Sequence, residues 1–139
     1  GTTKGVDADV ADKVTDENLD DSIRFVKNFA KESGTIVAVT GAIDLVSDGE
    51  KCYVIRNGRP ELGQITGTGC MLGMVCASYL ASASNAFNAA LTSTVEFGIA
   101  GELAAKKTMA PGSFQVQLLD SFYQLTEAKR DSLAKIIVY

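Results

Sequence analysis

Two short stretches of the chain have the residue types and spacing to hold an anion. Ile65-Thr-Gly-Thr-Gly-Cys-Met71 places Gly67 and Gly69 two positions apart, just ahead of an apolar run. Glycine admits backbone conformations that other residues resist, so successive N–H groups can point the same way and form a nest. A helix beginning near Cys70 adds unpaired N–H groups and the positive end of its dipole. Negative charge that grows during a reaction would be stabilised there. Cys70 lies in the first turn of that helix, where it could act as a weak base or hold a substrate hydroxyl. The second stretch, Val39-Thr-Gly-Ala-Ile-Asp44, closes a short apolar run and puts Thr40 at its end. In open α/β sheets ligands bind beyond the carboxyl ends of strands, and both stretches fall at such positions. Taken singly, a Gly-x-Gly before a helix is more often a tight turn, and a cysteine in an apolar helix is more often core. Cys52 and Cys76 read as packing residues of that kind.

The elements that must position these stretches follow from periodicity. Residues 19–32 repeat apolar side chains at helical spacing (Leu19, Ile23, Val26, Phe29/Ala30), and Gly34 sits where a C-cap glycine belongs. Residues 35–40 read as a strand buried on both faces. Residues 43–47 and 52–56 read as two more strands around an Asp48-Gly49 turn. Asn57-Gly58 is a hairpin signal leading to a fourth extended piece over residues 59–62. Helical patterns cover residues 70–81 and 85–107, the latter capped by Ser84 or Asn85. Pro111-Gly112-Ser113 opens a third helix over residues 114–128, with Val116, Leu119 and Phe122/Tyr123 as its stripe. Residues 135–139 form a last strand, and residues 1–16 an exposed polar lead-in. No internal repeat is evident. The order of elements predicts an α/β layered domain with too few strands for a complete doubly wound sheet.

Composition narrows the chemistry. The chain has 139 residues, 46% of them hydrophobic and 22% charged, as in a single globular domain. A net charge of −4 argues against nucleic acid as the main partner. The apolar region over residues 71–104 is interrupted by Ser82, Asn85, Asn88 and Glu96, so it predicts two buried helices and no membrane span. Three irregularly spaced cysteines predict reduced thiols and a cytoplasmic setting. The chain has no histidine, which excludes His-dependent triads and leaves Asp, Glu, Cys, Lys, Tyr or water as the base.

Thr-Gly-Thr-Gly-Cys-Met, preceded by Val-Ala-Val-Thr-Gly-x-x-Asp and followed by the Gly98–Ala104 stretch and the Pro111-Gly-Ser-Phe114 helix entry, closely resembles the hydroxyethylthiazole kinase family. The resemblance implies a ribokinase-like three-layer α/β/α fold, with residues 1–139 as the C-terminal portion of one kinase domain. It further implies transfer of the ATP γ-phosphoryl group to 4-methyl-5-(2-hydroxyethyl)thiazole in thiamine salvage, with Mg2+, by a homotrimer. On that basis Gly67, Thr68 and Gly69 would form the anion hole, and Gly67 would also border the thiazole alcohol. Thr40 and Thr68 would contact the ATP phosphates, and Cys70 would sit beside the attacking hydroxyl. In related ribokinase-like enzymes an aspartate base stands where Cys70 does, so positioning and charge stabilisation would carry more of the catalysis here. The metal motif and most of the thiazole pocket are expected in an N-terminal half absent from this chain. The alternatives are another ribokinase-like small-alcohol kinase, such as one for hydroxymethylpyrimidine, and a non-catalytic half-domain.

Overall fold

A computed structural model describes residues 13–139. Helix α1 spans Leu19–Ser33 and buries Leu19, Ile23, Val26 and Ala30, one side chain per turn. Asp20 and Asp21 in its first turn and Lys31 in its last complement the helix dipole. Gly34 closes it in the left-handed region at φ 64°. Strands β1 (Val37–Val39), β2 (Asp44–Ser47) and β3 (Cys52–Ile55) follow, and β4 (Ile136–Val138) comes from the far end of the chain. They form one sheet in the order β1-β2-β3-β4, antiparallel throughout. Cys52 and Tyr139 extend the β3–β4 ladder by exchanging two backbone hydrogen bonds of 2.9 Å.

The sheet is covered on both sides. Leu45, Cys52 and Val54 face α1, whereas Val46 and Ile55 face α3 (Ala86–Ala105). Strand burial on both faces therefore belongs to β2 and β3. It does not extend to β1, an edge strand in which Ala38 is exposed and Val37 and Val39 are half-buried against the α1 cluster. Helix α3 is apolar nearly all round, as expected of a helix enclosed by protein. Asn85 caps it, its side chain accepting the Asn88 N–H at 2.8 Å. Helices α2 (Thr68–Ser82) and α4 (Pro111–Tyr123) flank it, and α5 (Glu127–Leu133) leads into β4. The result is a layered α/β arrangement of the expected class.

Several details depart from the sequence reading. Of the lead-in, residues 1–12 lie outside the described residues, but Val14 is core beside Leu19 and Ile23 and is not an exposed residue. Among the two helices expected to be buried, only α3 is; α2 has half-buried residues at best. The third predicted helix starts at Pro111 and is broken after Tyr123, where Thr126 caps α5 by accepting the Lys129 N–H. Its buried face is Phe114, Leu118 and Ser121, while Val116, Leu119 and Tyr123 are exposed. The segment carries two apolar stripes, and packing on α3 selected the other one.

Asn57-Gly58 makes no hairpin, and of the expected extended piece over residues 59–62 only Arg59 is extended, at φ −145° and ψ 146°. Asn57 is 3% exposed and binds tertiary partners instead. Its side chain donates to Glu102 Oε1 (3.2 Å) and the Leu133 carbonyl (3.0 Å) and accepts the Lys135 N–H (2.8 Å). The edge of β3 is taken by β4, and a 3-10 turn over Pro60–Gln64 follows, with proline setting φ at its start. This segment lies against the glycine face of α3. A Cβ on Gly98 would stand 2.9 Å from the backbone of Asn57, whereas one on Gly101 would meet the Leu62 side chain at 2.9 Å. Gly98→Ala is therefore expected to destabilise by roughly 1–3 kcal/mol. Gly101→Ala, facing a side chain that can rotate away, should cost clearly less. Thermal unfolding of the two variants checks the order.

Candidate functional site

The two stretches singled out by residue type meet at one cleft of about 510 Å³. Thr40, Gly41 and Asp44 of the β1–β2 connection line one part of it, and Thr68, Gly69 and Leu72 at the start of α2 line another. Gly58 and Arg59 come from the segment pinned by Asn57, while Thr94, Phe97 and Gly98 belong to the wall that α3 provides. Gly67 and Cys70 flank the cleft and are not part of its lining; Cys70 is exposed in the first turn of α2.

The local geometry follows from the glycines. Gly67 is the N-cap of α2 at φ 95°, a left-handed conformation that favours glycine, and its carbonyl accepts the Met71 N–H at 2.9 Å. The Thr68 hydroxyl donates back to the Leu62 carbonyl at 2.9 Å, which ties the loop to the 3-10 turn. That hydroxyl is thus engaged within the protein, and what Thr68 leaves free is its amide. Among the described residues no acceptor is bonded to the N–H groups of Thr68, Gly69 or Cys70. A Cβ on Gly69 would meet nothing within 4 Å, so its side of the cleft is open to a ligand. Three free donors at the positive end of a 15-residue helix, beside open space, can hold an anion and take up charge that grows on it.

Two further residues shape the electrostatics, and the sequence reading gave neither a role. Asp44 is 8% exposed, its Oδ1 accepts the Gly41 N–H at 2.8 Å, and burial raises its carboxyl to about 6 against the stabilising Gly41 bond. The bond fixes the turn that carries Thr40; the Thr-Gly-x-x-Asp spacing was the available signal. Arg59 stands in extended backbone just ahead of the 3-10 turn. It forms a two-point ion pair with Glu61 at 3.1 Å, and the buried state of Glu61 has no local sequence signature. Cys52 is fully buried, its thiol pushed up to about 11 by burial, and Cys76 is half-buried against the core, so both act in packing. Among the described residues no cluster of three or more His, Cys, Asp or Glu could hold a metal ion. By themselves these residues do not fit a resident Mg2+.

Comparison with known proteins finds relatives of this chain. A profile described as the hydroxyethylthiazole kinase family matches residues 1–128. The hydroxyethylthiazole kinase of Clostridium acetobutylicum is 43% identical, with all of this chain and 52% of the relative covered. Hydroxyethylthiazole kinase 1 of Methanosphaera stadtmanae is 40% identical over 96% of this chain and 48% of its own length. The solved hydroxyethylthiazole kinase structure from Pyrococcus horikoshii superposes with a TM-score of 0.83 at 36% identity, over 88% of this chain and 48% of that one. The chain thus spans about half the length of the relatives it matches.

The buried carboxyl of Asp44 has a consequence for stability. Its folded value, about 6, lies above the unfolded one, so the contribution is complete below about pH 4 and is lost as pH rises through 6. At pH 7.5 this amounts to roughly 3 kcal/mol or less. Asp44→Asn keeps an acceptor for the Gly41 N–H and removes the titration. It is expected to raise the unfolding temperature at pH 7.5 and to change it little at pH 4, as paired thermal melts would check.

Proposed function

The chain belongs to the hydroxyethylthiazole kinase family, and from that premise we propose that it supplies the phosphoryl-transfer part of an enzyme that phosphorylates 4-methyl-5-(2-hydroxyethyl)thiazole with ATP. The observation that carries the reading is the set of free amides at Thr68, Gly69 and Cys70, two of whose residues share one cleft with Thr40.

In this reading the γ-phosphoryl oxygens rest on the amides of residues 68–70, whose positive potential grows in value as charge accumulates in the transition state. Thr40, held at the strand end by the Asp44–Gly41 bond, contacts the nucleotide phosphates. Gly67 borders the alcohol, and Cys70 stands beside the attacking hydroxyl, which it can hydrogen-bond and orient while the proton leaves to solvent or to a phosphoryl oxygen. Most of the work is positioning, which suits a thiol where a stronger base is not required. Magnesium would arrive with the nucleotide and with residues outside those described here. A homotrimer in the cytoplasm belongs to the same reading. It is supported by the family alone. The net charge of −4 favours a small-molecule partner over nucleic acid, and among the described residues no helix is long and apolar enough to cross a membrane.

The test is turnover by the full-length protein with ATP, magnesium and the thiazole alcohol, alongside hydroxymethylpyrimidine. Preference for the pyrimidine alcohol, or no turnover, would overturn the proposal. Gly69→Val puts a branched side chain into open space, so the fold should survive while kcat falls at least about 100-fold. Cys70→Ser should slow the reaction without erasing it, and steady-state kinetics of both variants would reveal this.

A further inference from the structure

Glu61 is 3% exposed, and an ionised carboxylate in such a place requires a partner. Arg59 provides one in the two-point manner that guanidinium geometry allows: Nε donates to Oε2 and Nη2 to Oε1, each at 3.1 Å. The pair holds the Glu61 carboxyl below its ordinary range, chiefly through the Arg59 hydrogen bond. Two of the five guanidinium N–H donors are used in this way. Among the described residues no other acceptor binds Arg59, and its side chain remains 45% exposed.

Where those donors lie matters. Arg59 lines the same cleft as Thr68 and Gly69. The other cation lining it, Lys13, has no ion pair among the described residues, so nothing fixes its direction. Arg59 differs. Its position is set from behind by a buried carboxylate, which is set in turn by the 3-10 turn that packs on α3. A guanidinium held on one edge with its remaining donors open is arranged to receive a second oxyanion, and phosphate oxygens match its fork.

We propose that Arg59, oriented by the buried Glu61, is a phosphate-binding residue of this cleft that takes the polyphosphate of a nucleoside triphosphate together with the amides of Thr68 and Gly69. The inference rests on the kinase reading above and extends it to a residue outside the glycine motif.

Removing Arg59 alone would strand a buried charge, so the informative variant is the double substitution Arg59→Met with Glu61→Gln in the full-length protein. Calorimetric titration with ATP and with adenosine separates phosphate recognition from ring recognition. The expected result is ATP binding weakened about ten-fold or more, with adenosine binding unchanged within about two-fold. The steepness of ATP binding against salt should also decrease. Glu61→Gln alone, which keeps the cation but loosens its anchor, should give a smaller loss. ATP binding equal to the parent's, or equal losses for ATP and adenosine, would overturn the inference. A parent that phosphorylates no thiazole alcohol but binds ATP in an Arg59-dependent way would overturn the kinase reading and leave this inference standing.

Discussion

Asn57 joins three parts of the molecule with one side chain, binding Glu102 on α3, the carbonyl of Leu133 and the amide of Lys135. Glu102 is drawn into the same cluster by the Gly58 N–H at 3.1 Å and the Lys135 ammonium at 2.9 Å. A buried amide with both ends satisfied is directional, since any shift leaves a donor or acceptor without a partner. The chain is thereby turned off β3 and pressed onto α3 so closely that only hydrogen fits at Gly98. The part of the cleft wall formed by residues 58–69 depends on this join. The 3-10 turn starts from it, the Thr68 hydroxyl anchors to the Leu62 carbonyl within that turn, and α2 begins from the loop so tethered.

A second network steadies the other end of α2. Tyr79 donates to Glu96 of α3, which also accepts from Arg130 of α5 at 3.2 Å. Burial and the neighbouring carboxylate push the Tyr79 hydroxyl up to about 12, so it stays a donor at any ordinary pH. Helix α2 is thus secured at its loop and near its C-terminal end while keeping its N-terminal amides free. A rigid donor array needs little reorganisation as charge develops on a bound group, which is the arrangement that electrostatic stabilisation favours.

What could be read from the sequence was what is local in it. The α1 stripe, the Gly34 cap, the β2–β3 turn and the Asn85 cap depend on neighbours within a few positions, and they formed as expected. The glycine loop's geometry was legible for the same reason: the free amides belong to the backbone of residues 68–70. Asn57-Gly58 was misread because the partners that decide its conformation lie 76 and 78 positions away. The inner face of α4 was misread because two apolar stripes compete there, and only contact with α3 chooses between them. Arg59 gained its place in the cleft through the burial of Glu61, a tertiary fact with no trace in spacing.

The β3–β4 ladder has a bearing on how the protein is made. Its two strands are separated by all four helices that follow α1, so during synthesis β3 emerges long before the strand that covers its edge. Closing so long a loop is slow, and in the meantime Cys52–Ile55 presents unpaired backbone and apolar side chains. An open edge of that kind invites pairing with another nascent chain. The same long-range closure that shapes the cleft therefore leaves one edge of β3 open to such pairing until the C-terminal strand arrives.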